Sequence, residues 1–151
     1  MLTVIDALTP TSLAANRFRR HRNEGRGDLI PHCETHPTGS LRRFQVRDDG
    51  SDSPPATSSG VEEEHEITLV VTVAYPLDYR YGGDLALDRD DVMREDERKI
   101  LYAVGMHGRA NFTPSAYPDA TWLGHDVSRE IGEACAYLVI SIRMAIILSL
   151  S

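Results

Sequence analysis

The residues best suited to chemistry sit in one pentapeptide, His32-Cys33-Glu34-Thr35-His36. Imidazole and thiolate are ordinary zinc ligands, but a zinc site needs four ligands, or three and an open position, at spacings that bring them to one centre. Residues 28–34 read as a short edge strand, because Pro31 cannot donate to a sheet ladder. Extended backbone sends His32 and Cys33 to opposite faces, so at most one of them joins His36. His65, His107 and His125 lie far along the chain, and nothing in the sequence ties them to this cluster. Surface histidines beside an edge strand are the better account, and no metal is assigned.

Other chemistry is thinner still. No G-x-S-x-G elbow is present, and Cys135 falls within an apolar run, where a thiol is packing rather than nucleophile. Gly82-Gly83 is not followed by a Lys-Ser/Thr pair, so no phosphate-cradling loop is read. Carboxylates abound at Asp90-Asp91 and Glu95-Asp96-Glu97, but adjacent residues on a helix diverge instead of facing one another. Cys33 and Cys135 are too few for a secreted disulfide framework and are either free thiols or one bridge. A non-enzymatic protein without a cofactor is expected.

The elements that position these residues follow from patterning. Thr9-Pro10-Thr11-Ser12 is a helix-start signal, and Leu13, Ala14 and Phe18 are spaced for the apolar stripe of a helix over residues 11–23. Its opposite face would carry Arg17, Arg19, Arg20 and Arg22. Residues 41–47 alternate, with Phe44 and Val46 on one face and Arg43, Gln45 and Arg47 on the other, which describes a half-buried strand. Residues 48–60 are rich in Asp, Ser, Pro and Gly and read as a mobile loop or arm. Residues 62–75 then form a long strand, with His65, Ile67, Leu69, Val71, Val73 and Tyr75 on one side.

A second helix is expected over residues 86–104, with Asp88 or Asp90 as N-cap and Val92, Met93, Ile100, Leu101 and Val104 as its buried stripe. Acidic residues in its first turns complement the helix dipole. Residues 105–120 read as a loop, and Trp122 as a buried or interface residue. The closing segment, 132–148, is apolar enough to raise the question of a membrane. A bilayer span needs about twenty apolar residues, and a central arginine such as Arg143 costs roughly 2.5–3.5 kcal/mol on insertion scales. Its strict alternation and β-branched residues favour a sheet strand. The fold class is therefore α+β: one mixed or antiparallel sheet with long strands near 62–75 and 132–148, packed by helices near 11–23 and 86–104.

A chain of 151 residues fits a single domain, 1–151. The net charge of −7 argues against generic nucleic-acid wrapping, which rests on clustered cations. That charge is divided. Arginines load the first third, including Arg26, Arg42, Arg43 and Arg47, while Asp and Glu dominate residues 48–97. Complementary patches of this kind suit a head-to-tail contact between copies. Arg17, Arg19, Arg20 and Arg22 on one side, with Asp90, Asp91, Glu95 and Trp122 on the other, are the interface candidates. Two solvated faces are the plain alternative. No charged region followed by an apolar stretch opens the chain, so a secretory signal is not expected.

The strand ending Ala74-Tyr75-Pro76, the helix beginning Asp88-Arg89-Asp90-Asp91 and continuing through Asp96, and the closing strand over residues 137–146 together resemble the tail terminator (tail completion) proteins of long-tailed bacteriophages and related gene transfer agents. An N-terminal helix at about 11–23 is also as that family has it. The resemblance covers most of the chain as an order of elements and includes no diagnostic motif. It implies a structural virion protein at the head-proximal end of the tail, assembled in the host cytoplasm as a six-fold ring. Such a ring caps the tail tube, stops its polymerisation and meets the head connector or neck proteins, and in contractile tails the sheath. DNA would pass through the lumen, and a negative lumen would repel its phosphates. No membrane partner is implied, and the family supplies no catalytic residue to carry over. The loop at 48–60 matches the position of a family loop that projects toward tail partners; its greater length and the two cysteines depart from the family. Another head-to-tail connector subunit, a neck or stopper protein, and a non-viral ligand-binding α/β module are the alternatives.

Overall fold

A computed structural model describes residues 2–10, 17–21, 28–52, 62–81, 88–106 and 121–149. The described elements are α1 (Leu2–Asp6), β1 (Arg19–Arg20), α2 (Leu29–Thr35), β2 (Arg43–Asp52), β3 (Glu62–Pro76), α3 (Arg89–Leu101), β4 (Thr121–Ile131) and β5 (Cys135–Ser149). One π-helical turn, Tyr102–Met106, continues α3. The strands form a single five-stranded sheet in the order β1-β2-β3-β5-β4. Every neighbouring pair is antiparallel except β1 with β2, so the sheet is mixed and the fold is α+β.

β3 and β5 are the centre, paired from Glu62 opposite Ser149 to Pro76 opposite Cys135 without a register break. Their β-branched residues suit a pleated surface covered on both faces. On one face Val71, Val73, Tyr75, Leu138, Ile140 and Ile142 meet Val92, Met93 and Ile100 of α3 and Ile5 of α1 in the main core. On the other, Ala74, Cys135 and Tyr137 pack with Leu29 and Cys33 of α2. The closing segment is thus the second strand of the sheet's central pair, and among the described residues no helix is long and apolar enough to cross a membrane.

Four sequence expectations need correction. The helix expected over residues 11–23 is not continued where the chain is described: Arg17 and Phe18 are irregular and Arg19–Arg20 form β1, while 11–16, 22 and 23 lie outside the described residues. The local spacing that suggested a helix is overridden because Arg19 and Arg20 pair in parallel with Arg43 and Phe44. The strand expected at 28–34 is the helix α2. Asp28 takes the extended N-cap conformation, and Pro31 sits in the first turn, where a missing N–H leaves no ladder bond unmade. The expected mobile loop at 48–60 begins later than read, since β2 runs to Asp52 with a register shift between Asp48 and Ser51; residues 53–60 lie outside the described set. β4 was not anticipated. It is an edge strand with a register shift between Trp122 and Gly124, and polar residues on both its faces hide the period of two.

Candidate functional site

α3 begins at Asp88, whose side chain accepts from the Asp91 N–H at 2.9 Å, so the N-cap falls on the first of the two aspartates considered. Its buried stripe contains Val92, Met93 and Ile100, with Val104 buried in the turn that follows, and it also contains a carboxylate. Asp96 is fully buried and receives Arg42 in a two-pronged contact, Nε to Oδ2 at 2.7 Å and Nη2 to Oδ1 at 3.1 Å. The Tyr75 hydroxyl donates to the same Oδ2 at 2.8 Å. Arg42 is equally buried, and its guanidinium lies 5.8 Å from the centre of the Phe18 ring.

This lock joins four parts of the chain: the approach to β1, the turn before β2, the end of β3 and the middle of α3. Burial pushes the Asp96 carboxyl above the usual carboxylate range, against the pull of Arg42 and Tyr75. Burial, then the Asp96 charge, drives the Tyr75 phenol well above its ordinary value. Arg42 also holds a left-handed backbone, φ 56°, at a cost of about 1–2 kcal/mol for a side-chain-bearing residue. Its N–H donates to the Ala74 carbonyl at 2.9 Å and its carbonyl accepts from the Arg19 N–H at 3.0 Å, so the conformation is held from both sides. Such a pair fixes how α3 sits on the sheet; it contains no nucleophile or open position for a substrate.

The second cluster lies under α2. Glu34 accepts the Tyr137 hydroxyl at 2.6 Å and the backbone N–H of Ala134, clamping α2 to the β4–β5 turn. Cys33 and Cys135 are both buried and free, with the Cys135 thiol 3.5 Å from the Cys33 carbonyl. Burial is the main cause that raises both thiols, Cys135 to about 12, which keeps them protonated and inert at neutral pH.

The helical form of α2 changes the histidine geometry. His32 and His36 share a face, ring centres 5.5 Å apart, and His21 stacks on His32 at 4.8 Å. Partial burial, then Arg43, His21 and His36, lowers the His32 pKa. Among the described residues no group of three or more His, Cys, Asp or Glu is placed to hold a metal ion.

The interface candidates separate. Arg17, Arg19 and Arg20 are exposed, but as an irregular segment and a short strand rather than as one face of a helix; Arg22 lies outside the described residues. Arg17 and Arg19 border a surface cleft of about 300 Å³ whose walls include Pro37, Leu41, Pro76, Asp78 and Tyr79. Asp90 and Asp91 are exposed on the first turn of α3, each with a weak ion contact on its own helix, to Arg89 and Arg94. Glu95 is half-exposed and 3.8 Å from Lys99. Trp122 is half-buried at the start of β4, packed on the main core and 5.7 Å from His125.

Sequence reasoning passed over Asp96, though a signal was there: Val92, Asp96 and Ile100 are spaced by four, so the carboxylate lies in the middle of the apolar stripe. Nothing comparable marked Arg42. Compared with protein-family models and with curated proteins, the chain has no match.

Proposed function

We propose that this chain is a structural ring subunit at the head-proximal end of a bacteriophage or gene-transfer-agent tail. As such it caps the tail tube, ends its polymerisation and offers the head connector or neck proteins a docking surface, with sheath as a further partner if the tail contracts. The observation that carries this reading is the packing together of the three segments behind the resemblance. β3, ending in Ala74-Tyr75-Pro76, pairs with β5 along its whole length, and the acidic helix is fastened to their shared face through Tyr75 and Asp96. Surface character supports it as well, because exposed arginines before β1 and exposed aspartates on α3 are two different patches of opposite sign, as a heterologous ring contact requires.

The test is polymerisation of tail tube protein in the presence of this chain. Expected are tubes of limited length with a ring at one end in negative-stain images. Tubes of unchanged length, and a chain that stays monomeric beside tube protein, would overturn the reading.

The cleft beside Arg17 and Arg19 is the observation behind the competing reading, a small ligand-binding module. Its volume, about 300 Å³, is at the lower limit for such sites. Saturable chemical-shift changes confined to Leu41, Asp78 and Tyr79 on titration with aromatic carboxylates would favour that alternative.

A further inference from the structure

β4 is an edge strand of eleven residues that, among the described residues, pairs with β5 alone. Leu123 is 47% and Ile131 73% exposed along it. At the opposite edge, β1 covers β2 only at Arg43 and Phe44. From Gln45 onward β2 has no strand on its outer side among the described residues, but His21 follows β1 in register with Gln45, so the open edge begins at Val46; Arg47 and Asp48 are exposed.

The rows that cross the sheet connect these two edges. Val46 stands opposite Val71, Val71 opposite Ile140, and Ile140 opposite Val127. By the same registers Arg47 leads through Val70 and Ser141 to Asp126, and Gln45 through Thr72 and Val139 to Ser128. Asp48 leads through Leu69 and Ile142 to His125. The row through Arg47 thus starts and ends on a cation and an anion, and the row through Val46 on two valines.

Backbone geometry agrees. The Phe44 carbonyl accepts from the His21 N–H at 2.7 Å, so the polar groups of Phe44 point outward from β3. Alternation along an antiparallel ladder turns those of Val46 outward too, and carried across the row it does the same for Val127. Strand direction reverses at each antiparallel step from β2 to β4. A second copy in the same orientation therefore presents β2 antiparallel to β4.

We infer that β4 of one copy pairs antiparallel with the outer edge of β2 of a second copy of this chain, with Val127 opposite Val46 and Asp126 opposite Arg47. The inference rests on the ring-subunit reading for its occupant, a second copy, and supplies that reading with an interface. β1 limits the pairing at one end, since it already occupies the edge at Phe44. Residues 128–131 then pass outside it, bringing Glu130 toward the exposed Arg19 and Arg20.

Cysteine cross-linking tests the register. Full-length Arg47→Cys and Asp126→Cys proteins are oxidised mildly and resolved without reductant; native Cys33 and Cys135 are buried and serve as internal controls. Mixed single variants are expected to give dimers, a double variant a ladder, and either single variant alone neither. Exposed charges give a second readout that leaves the core untouched: Arg47→Asp or Asp126→Arg alone should weaken self-association about two- to fivefold, and the two together should restore it. Dimers from Asp126→Cys alone, or a wild-type chain that stays monomeric at every concentration, would overturn the inference. Rings that form without a 47–126 cross-link would also overturn it while leaving the ring reading intact. Cross-linked oligomers that leave tube length unchanged would uphold the edge pairing and remove the tail-capping role.

Discussion

Arg42 and Asp96 are two full charges with no access to water, and the consequences of removing either differ. Asp96→Asn strands a guanidinium that stays protonated, so a loss of about 3–5 kcal/mol is expected in urea unfolding. Arg42→Met leaves a carboxyl whose burial already raises its pKa and which can neutralise itself, so its loss should be smaller and pH-dependent. The sign follows from linkage: with the folded pKa above 3.8, the folded state holds more protons, so the variant's stability falls as pH rises from 3.8 through the folded value. Melting curves of the two variants between pH 4 and pH 8 check this. His32 works in the opposite sense. Its folded pKa lies below 6.5, so the stability it contributes is present above that pH and lost as pH falls through the folded value. A His32→Gln variant should therefore lose less stability than wild type between pH 7 and pH 5.

α2 and the β4–β5 turn hold one another through Glu34, and Gly132 is the turn residue that makes room. A Cβ there would collide with the Glu34 carboxylate and come within 3.0 Å of the Tyr137 ring. Gly132→Ala should destabilise by about 1–3 kcal/mol, as overpacking does, and Glu34→Ala in the same chain should recover part of that loss. At the other long helix, Asp88→Ala removes the N-cap acceptor of α3 and should cost about 1 kcal/mol in thermal unfolding. Legibility varied between elements for physical reasons. β3 and β5 bury residues on both faces over 70–75 and 135–138, and their alternation and β-branched content mark them as strands. α2 has only two buried residues, Leu29 and Cys33, too few to show a helical period. β4 meets the core on one face only and carries His125, Asp126, Arg129 and Glu130, which conceal its alternation.

The chain as a unit has a central sheet whose two ends match and a surface on which charge is divided. Self-association that uses exposed charges must weaken with ionic strength, because the screening length falls from about 10 Å at 0.1 M to 3 Å at 1 M salt. Light scattering behind size exclusion should show oligomers losing mass as salt rises. Arg17→Glu with Arg19→Glu should shift that transition to lower salt if these arginines meet the aspartates of α3. An unchanged transition would exclude them from the contact. The cleft beside the same arginines makes this double variant informative twice over, since loss of carboxylate binding without loss of oligomers separates the two uses of that surface.

Local patterning was enough to determine the fold class, the two central strands and the position of α3, with its N-cap narrowed to Asp88 or Asp90, because periodicity and capping are properties of near neighbours. It also favoured a sheet strand over a membrane helix at residues 132–148, where alternation and Arg143 conflict with a bilayer-spanning helix. Tertiary structure decided the rest. Arg19 and Arg20 are extended because they join β2, not because of any preference of their own. Asp96 became buried because Arg42 and Tyr75, 54 and 21 residues away in sequence, arrive to satisfy it. The matching of Arg47 with Asp126 depends on three strand registers in succession, a relation between remote segments to which no local sequence pattern has access.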